Sequence, residues 1–319
     1  IAAGAELVPE TEATELLTDA DGQVVGVKAL SGGKEVFIKA RKAVVLATGG
    51  FTRSEEMMRA YSEQAFYCQP LGVPNLTGDG IKMATALGAG VSNIHEVLGI
   101  PGITLPGKIV ATYAFWTFGT APAILVNTRG QRFVDEFAFY DWKCTELLKQ
   151  PDRVAFSVFD AATRDAAKGM IVLGFSEDLE QEVADGTVLK AETLTELAGL
   201  MGVPAERFEA TIAKYNEDAA AGTDTDFGRA MLLAPISTGP FYAFKTFPTM
   251  FDTMGGLKIN EAAQVVDVWG DVIPRLYAVG NTAGGVLGEH YPGSGSALNA
   301  GMTFGLIAGK HAAGLEAIS

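Results

Sequence analysis

Residues 291–309 read YPGSGSALNAGMTFGLIAG: a tyrosine and a proline, then Gly293 and Gly295, run straight into a helix pattern of small and apolar residues. A helix that begins on Gly295 and Ser296 exposes unpaired backbone N–H groups and the positive end of its dipole, with little side chain to block approach. Such an end suits partial negative charge, whether a phosphate, a carboxylate or the carbonyl edge of a reduced flavin. Taken alone, the stretch fits a plain serine-capped, packed helix equally well. The rest of the chain has to decide between them.

The 319 residues are long enough for one large domain or two medium ones, and 48% apolar with 19% charged is ordinary for a globular chain. A formal charge of −14 argues against nucleic acid or an anionic membrane as partner, because phosphate binding needs clustered Lys and Arg. A small molecule is the default partner. Cys68 and Cys144 have no CxxC spacing and there are only three histidines, so neither a metal site nor a disulfide framework is indicated. The longest apolar stretch, residues 112–126, is too short and too broken by Gly and Pro for a transmembrane span, which needs about 20 residues. The chain opens on Ile1 in strand-like text rather than on a methionine with a leader, so a longer gene product is expected.

Working backwards from the closing helix, TMGGLKINEAAQVVDVWGDVIPRLYAVGNTAGG (253–285) reads as short strands and glycine turns. Near the other end, QVVGVKAL, SGG and KEVFIKA alternate around a turn, predicting a β-hairpin. KAVVLATGGF (42–51) is a continuous apolar strand ended by Gly49-Gly50, and TGDGIKMATALGAG (77–90) is a glycine turn followed by a helix. Between about 100 and 240, patterns such as AETLTELAGLMG and PAERFEATIAKYNEDAAAG predict a mostly α inserted lobe, with Pro204 at a helix start. The fold class expected is therefore α/β, with residues 1–100 and 241–319 forming one domain and residues 101–240 a capping domain.

Four blocks carry a family resemblance: VVLATGGF (44–51), NLTGDGIKMATALGA (75–89), ILVNTRGQRFVDE (124–136) and the run from Thr253 to Gly309. In this order and spacing the chain resembles the flavoproteins of the fumarate reductase and succinate dehydrogenase superfamily, and within it the 3-ketosteroid dehydrogenases. The resemblance implies FAD in a glutathione-reductase-like domain interrupted by a fumarate-reductase-type cap. Carried over by position, Ala47, Thr48, Gly49, Asp79 and Gly280 line the FAD, Asn281 stands where the family usually has a Glu on the ribose, and Ser296, Ala297 and Leu298 lie under the isoalloxazine. The family's GxGxxG fingerprint does not occur in these residues, and the resemblance places it upstream, where it would complete the cofactor cradle.

Fumarate reductases hold a dicarboxylate with His, Thr-Glu and Arg side chains. At those places this sequence has Ile100, Phe115-Trp116, Gly119, Phe251, Tyr291 and Tyr140. A buried carboxylate without a cation costs several kcal/mol, so an apolar substrate is expected instead. The replacements match the ketosteroid branch, whose YPGxG signature assigns Tyr291 and the Gly295 N–H to a substrate ketone and Tyr140 to proton exchange. Phe115, Trp116 and Phe118 equally fit plain lobe core, and Tyr140 a surface aromatic beside Trp142. Arg129 and Arg132 read as anchors of the strand turn, pairing a carboxylate such as Glu136.

The expectation is a flavin-dependent oxidoreductase acting on a carbon–carbon bond conjugated to a ketone in a steroid-like or other apolar enone, with an unidentified electron donor or acceptor. Two alternatives stay open: a reductase of another unsaturated acid, and a catalytically silent module lacking the cofactor cradle.

Overall fold

A computed structural model describes residues 4–111, 122–167, 175–176, 178–231 and 233–318. The elements of the first third are β1 (Thr11–Thr18), β2 (Val24–Ser31), β3 (Lys34–Lys39), β4 (Val44–Leu46), α1 (Glu55–Tyr61), β5 (Gln69–Pro70), α2 (Asp79–Thr85), β6 (Val91–Ser92), β7 (Val97–Leu105) and β8 (Lys108–Ala111). Next come β9 (Ile124–Asn127), α3 (Tyr140–Leu148), β10 (Ala155–Asp160), α4 (Ala161–Ala166), α5 (Glu180–Ala184), β11 (Leu189–Ala191), α6 (Leu194–Met201) and α7 (Ala205–Ala221). The last are β12 (Phe241–Thr253), β13 (Gly256–Leu257), β14 (Gln264–Val266), β15 (Val272–Ala278) and α8 (Ser296–Ala313). Among the described residues no helix is long and apolar enough to cross a membrane.

The chain divides into two compact units, the first made of Ile1–Phe66, Gly72–Leu98 and Asp252–Ser319. Its hairpin alternation builds the antiparallel sheet β1-β2-β3. A second sheet, β14-β15-β4, pairs β15 and β4 in parallel, with Leu276 opposite Val44 and Ala278 opposite Leu46. The two parallel strands therefore end at one level and turn there together, at Ala47–Gly50 and at Gly280–Thr282. Helix α8 packs its Phe304, Ala308 and Ala312 face on Tyr277 and Val279 of this sheet.

The second unit, Tyr67–Leu71 with Gly99–Phe251, centres on a sheet in the order β8-β7-β12-β10-β9, with β5 and β11 also pairing β12. The patterns between about 100 and 240 point to helices, and the sheet on which those helices pack is the part they leave out. The reason is burial on both faces: β9 and β10 are buried at every position, so they lack the polar alternation that marks a half-exposed strand. The helices are where the sequence puts them. Thr193 and Glu196 form a reciprocal capping box at the start of α6, with N···O separations of 3.2 and 3.1 Å. Helices α6 and α7 cover β9 and β10 through Leu197, Met201, Phe208 and Ile212.

Candidate active site

In the first unit the chemistry gathers at the ends of β4 and β15. Among parallel strands this is where ligands bind, because the turns leave backbone groups outside the sheet. The Thr282 hydroxyl donates to the Gly49 carbonyl at 3.2 Å and lies 3.3 Å from the Thr48 hydroxyl. Gly78 N–H donates to the Gly50 carbonyl at 3.1 Å, tying the start of α2 to the same turn. A Cβ at Gly50 would stand 2.2 Å from an Asp252 carboxyl oxygen and 2.1 Å from the Thr253 hydroxyl, so only glycine fits this close approach.

Asp252 bridges the two turns. Its carboxylate accepts the Thr253 N–H at 2.8 Å and the Asn281 side-chain N–H at 2.7 Å, and also a bond from the Gly50 backbone. Burial pushes its pKa above the usual carboxylate range, against these three donors. Asp79, the first residue of α2, accepts from the Thr77 hydroxyl at 2.8 Å. A cavity of about 840 Å³ opens beside it, lined by Thr48, Asn75, Thr77, Asp79 and Met83 together with the β1 residues Glu12 and Ala13.

Helix α8 starts on Gly295, whose φ of +92° strains any other residue and whose missing side chain leaves open space. Buried Tyr291 returns to this helix start, its hydroxyl oxygen accepting the Ala297 N–H at 3.1 Å. Ser296 donates from its hydroxyl to the Gly293 carbonyl at 2.8 Å. Leu298, Met302 and Leu306 form an exposed apolar row one turn apart, 73%, 69% and 59% accessible. At Gly301 a Cβ would stand 3.6 Å from the Gly280 Cα, so α8 runs beside the β15 turn. Ala47, Thr48, Gly49, Asp79, Gly280, Asn281, Tyr291, Gly295, Ser296, Ala297 and Leu298 thus all belong to the first unit.

The second unit holds Ile100, Tyr140 and Phe251. Tyr140, the first residue of α3, is 4% exposed whereas Trp142 is 45% exposed, which removes the reading of Tyr140 as a surface aromatic. Two bonds tie the elements that carry them: Gly99 N–H on β7 donates to Asp141 on α3 at 3.0 Å, and the Thr249 hydroxyl on β12 donates to the Ile100 carbonyl at 2.6 Å. Ile100 is fully buried and Phe251 half-buried. Phe115 and Trp116 lie outside the described residues.

Beneath α3 sits a buried charge cluster. Arg132 forms ion pairs with Glu136 at 2.8 Å and with Asp224 at 2.9 Å, and Arg229 reaches Glu136 at 3.2 Å and donates to the Ala123 carbonyl at 2.7 Å. Burial alone would raise Asp224, but the Arg132 guanidinium outweighs it and holds the carboxyl at about 2. Sequence reasoning anticipated the Arg132–Glu136 pair. It missed Lys143, which is fully buried one turn after Tyr140 and donates to the Glu136 carbonyl at 3.1 Å. Burial pulls the Lys143 amine down to about 7. No residue type in DWKCTELLKQ signals this, since a lysine in a helix is usually solvated. Asp252 was missed for a related reason: its partners Gly50 and Asn281 are remote in sequence.

Residues 1–298 match the family model described as FAD binding domain. This chain belongs to the FAD binding domain family. Among curated relatives it is 34% identical over 97% of its length to the NADH:acrylate oxidoreductase of Vibrio harveyi, and 30% identical over 99% to the 3-oxosteroid 1-dehydrogenase of Mycolicibacterium smegmatis. It spans 30% of the first relative and 61% of the second. Among solved structures, 3-ketosteroid delta1-dehydrogenase from Sterolibacterium denitrificans, in complex with 1,4-androstadiene-3,17-dione, superimposes with a TM-score of 0.83 at 27% identity, covering 95% of this chain and 59% of that one.

FAD is the cofactor of this FAD binding domain, and the residues present fit it. The close approach at Gly50 and the unobstructed helix start at Gly295 leave backbone open to a ligand, and the cavity beside Thr48 and Asp79 offers hydroxyl and carboxylate partners for the hydroxyls of a polyol. Ala47 and Thr48 are exposed and Asn281 is half-exposed.

Proposed function

We propose that the protein is an FAD-dependent oxidoreductase that adds or removes hydrogen across a carbon–carbon bond conjugated to a ketone, in an apolar substrate of steroid-like character. Bound FAD supplies the two-electron exchange, as a hydride at its N5. Tyr291, through its hydroxyl, and Gly295, through its backbone N–H, donate to the substrate carbonyl oxygen and stabilise the negative charge that develops there. Tyr140 exchanges a proton with the adjacent carbon, as a general acid or base acting once the carbonyl is polarised. Ile100 and Phe251 supply apolar wall, and Ala47, Thr48, Gly49, Asp79, Gly280, Asn281 and Ser296 to Leu298 hold the cofactor.

The observation that supports this reading most is the Ala297 N–H on the Tyr291 hydroxyl oxygen, which fastens a phenol at the helix start that Gly295 leaves open. The test is Tyr140→Phe in the FAD-loaded protein, assayed on a cyclic enone and its saturated ketone. Turnover should fall by roughly 10²–10⁴, the range for loss of a general acid or base, with the flavin absorbance retained. Turnover at the wild-type rate sinks the role given to Tyr140.

A second reading, reduction of an unsaturated acid, is favoured by the relationship to the acrylate oxidoreductase. Arg132 and Arg229 do not help it, because both are engaged by Glu136. A panel pairing enones with α,β-unsaturated acids separates the two.

A further inference from the structure

We propose that Asp252 is a positioning residue for FAD: by fixing the Asn281 side-chain amide, it turns the Asn281 carbonyl oxygen outward as an acceptor for a hydroxyl of the cofactor's polyol. The inference rests on the assignment of Asn281 to FAD made above. Its basis is a constraint of donor and acceptor types. A primary amide presents two different ends, and nothing in its own shape decides which faces a ligand. A carboxylate, however, only accepts. With the Asp252 carboxyl 2.7 Å away, Asn281 must direct its NH₂ inward, and the amide oxygen is the end left for the other side.

The clamp is itself held. The second carboxyl oxygen takes the Thr253 N–H at 2.8 Å, and the Gly50 backbone also bonds to the carboxylate, so Asp252 fastens the turns after both parallel strands. Asp252 and Asn281 are both only half-buried, and Thr48 in the turn after β4 is exposed. Ribose and ribityl hydroxyls need acceptors as well as donors. In the neighbouring turn the Thr48 and Thr282 hydroxyls lie 3.3 Å apart and Thr282 donates to Gly49, so the Asn281 oxygen adds an acceptor beside groups already bonded to one another.

The test compares FAD dissociation constants, read from flavin fluorescence, for the wild type, N281A, D252N and the exchanged pair D252N/N281D, with thermal midpoints as a folding control. In D252N the Thr253 N–H and the Gly50 backbone hold the new amide by its oxygen, so its NH₂ faces Asn281. Asn281 must then turn its own oxygen inward and present NH₂ to the cofactor. FAD binding is expected to weaken roughly tenfold, the scale of one hydrogen bond. The exchanged pair again has one amide donating to one carboxylate, with an acceptor outward, and its affinity is expected to return to within about threefold of wild type. If D252N binds FAD like the wild type, or the exchanged pair stays as weak as D252N, the positioning role is overturned. Should D252N fail to fold, the exchanged pair and N281A still decide. Unchanged binding by N281A overturns the assignment of Asn281 itself, a distinct failure from the other two.

Discussion

The two units handle polar groups in opposite ways. In the second, Arg132, Arg229, Glu136 and Asp224 are buried and answer one another through ion pairs and bonds to backbone carbonyls. In the first, a single half-buried carboxylate and a few hydroxyls and amides hold two strand-end turns, beside glycine-lined space and an exposed apolar row on α8. Charges that neutralise each other inside a protein fix its shape but offer little to a ligand. Polar groups left at a rim, next to backbone that no side chain covers, are what a cofactor can use. On the proposed reading the turns bind and the cluster stabilises, although the cluster carries far more charge.

The strongest way to break that contrast is Glu136→Ala. It removes the group shared by both arginines, along with the acceptor of the Leu125 N–H at 3.0 Å. Loss of one partner from a buried pair costs about 3–5 kcal/mol, and urea unfolding should show it. A variant as stable as wild type but deficient in turnover would move the cluster from scaffold to chemistry. Tyr291→Phe tests the other side. Turnover should drop by up to roughly 10²–10³, the effect of one lost oxyanion donor, while the unfolding midpoint shifts by no more than one hydrogen bond, about 1 kcal/mol. A wild-type rate here would remove the argument for a ketone.

The smallest effect sharpens the contrast through pH. The Lys143 amine titrates at about 7 in the folded protein. Below that pH, folded and unfolded chains both hold the proton. Between about 7 and the free-lysine value near 10.4, only the unfolded chain holds it, so this residue makes stability rise with pH across the window, by at most about 1.4 kcal/mol per pH unit. Lys143→Met should abolish that slope when urea midpoints are compared in steps from pH ~7 to ~9. An identical slope in the variant would mean that Lys143 keeps its proton inside the fold.

Much of the first unit was legible from the chain because its signals are local. The hairpin of β2 and β3, the strand stopped by Gly49-Gly50 and the small-residue helix α8 each announce themselves within a dozen residues. Strands β9 and β10 of the second unit do not, since AILVN and AFSVF are buried on both sides and read as undifferentiated apolar text. At the site, Tyr291 and Gly295 could be nominated from a glycine-rich setting. Asp252 could not, because its meaning comes from Asn281, 29 residues on, and from Gly50. Lys143 escaped for want of any mark that distinguishes a buried lysine from a solvated one.

The bond from Ala297 to the Tyr291 oxygen also closes a short loop of chain. With Ser296 donating back to the Gly293 carbonyl, the aromatic ring and the first turn of the helix are fixed to each other within seven residues of chain, so a change at either end is felt at the other.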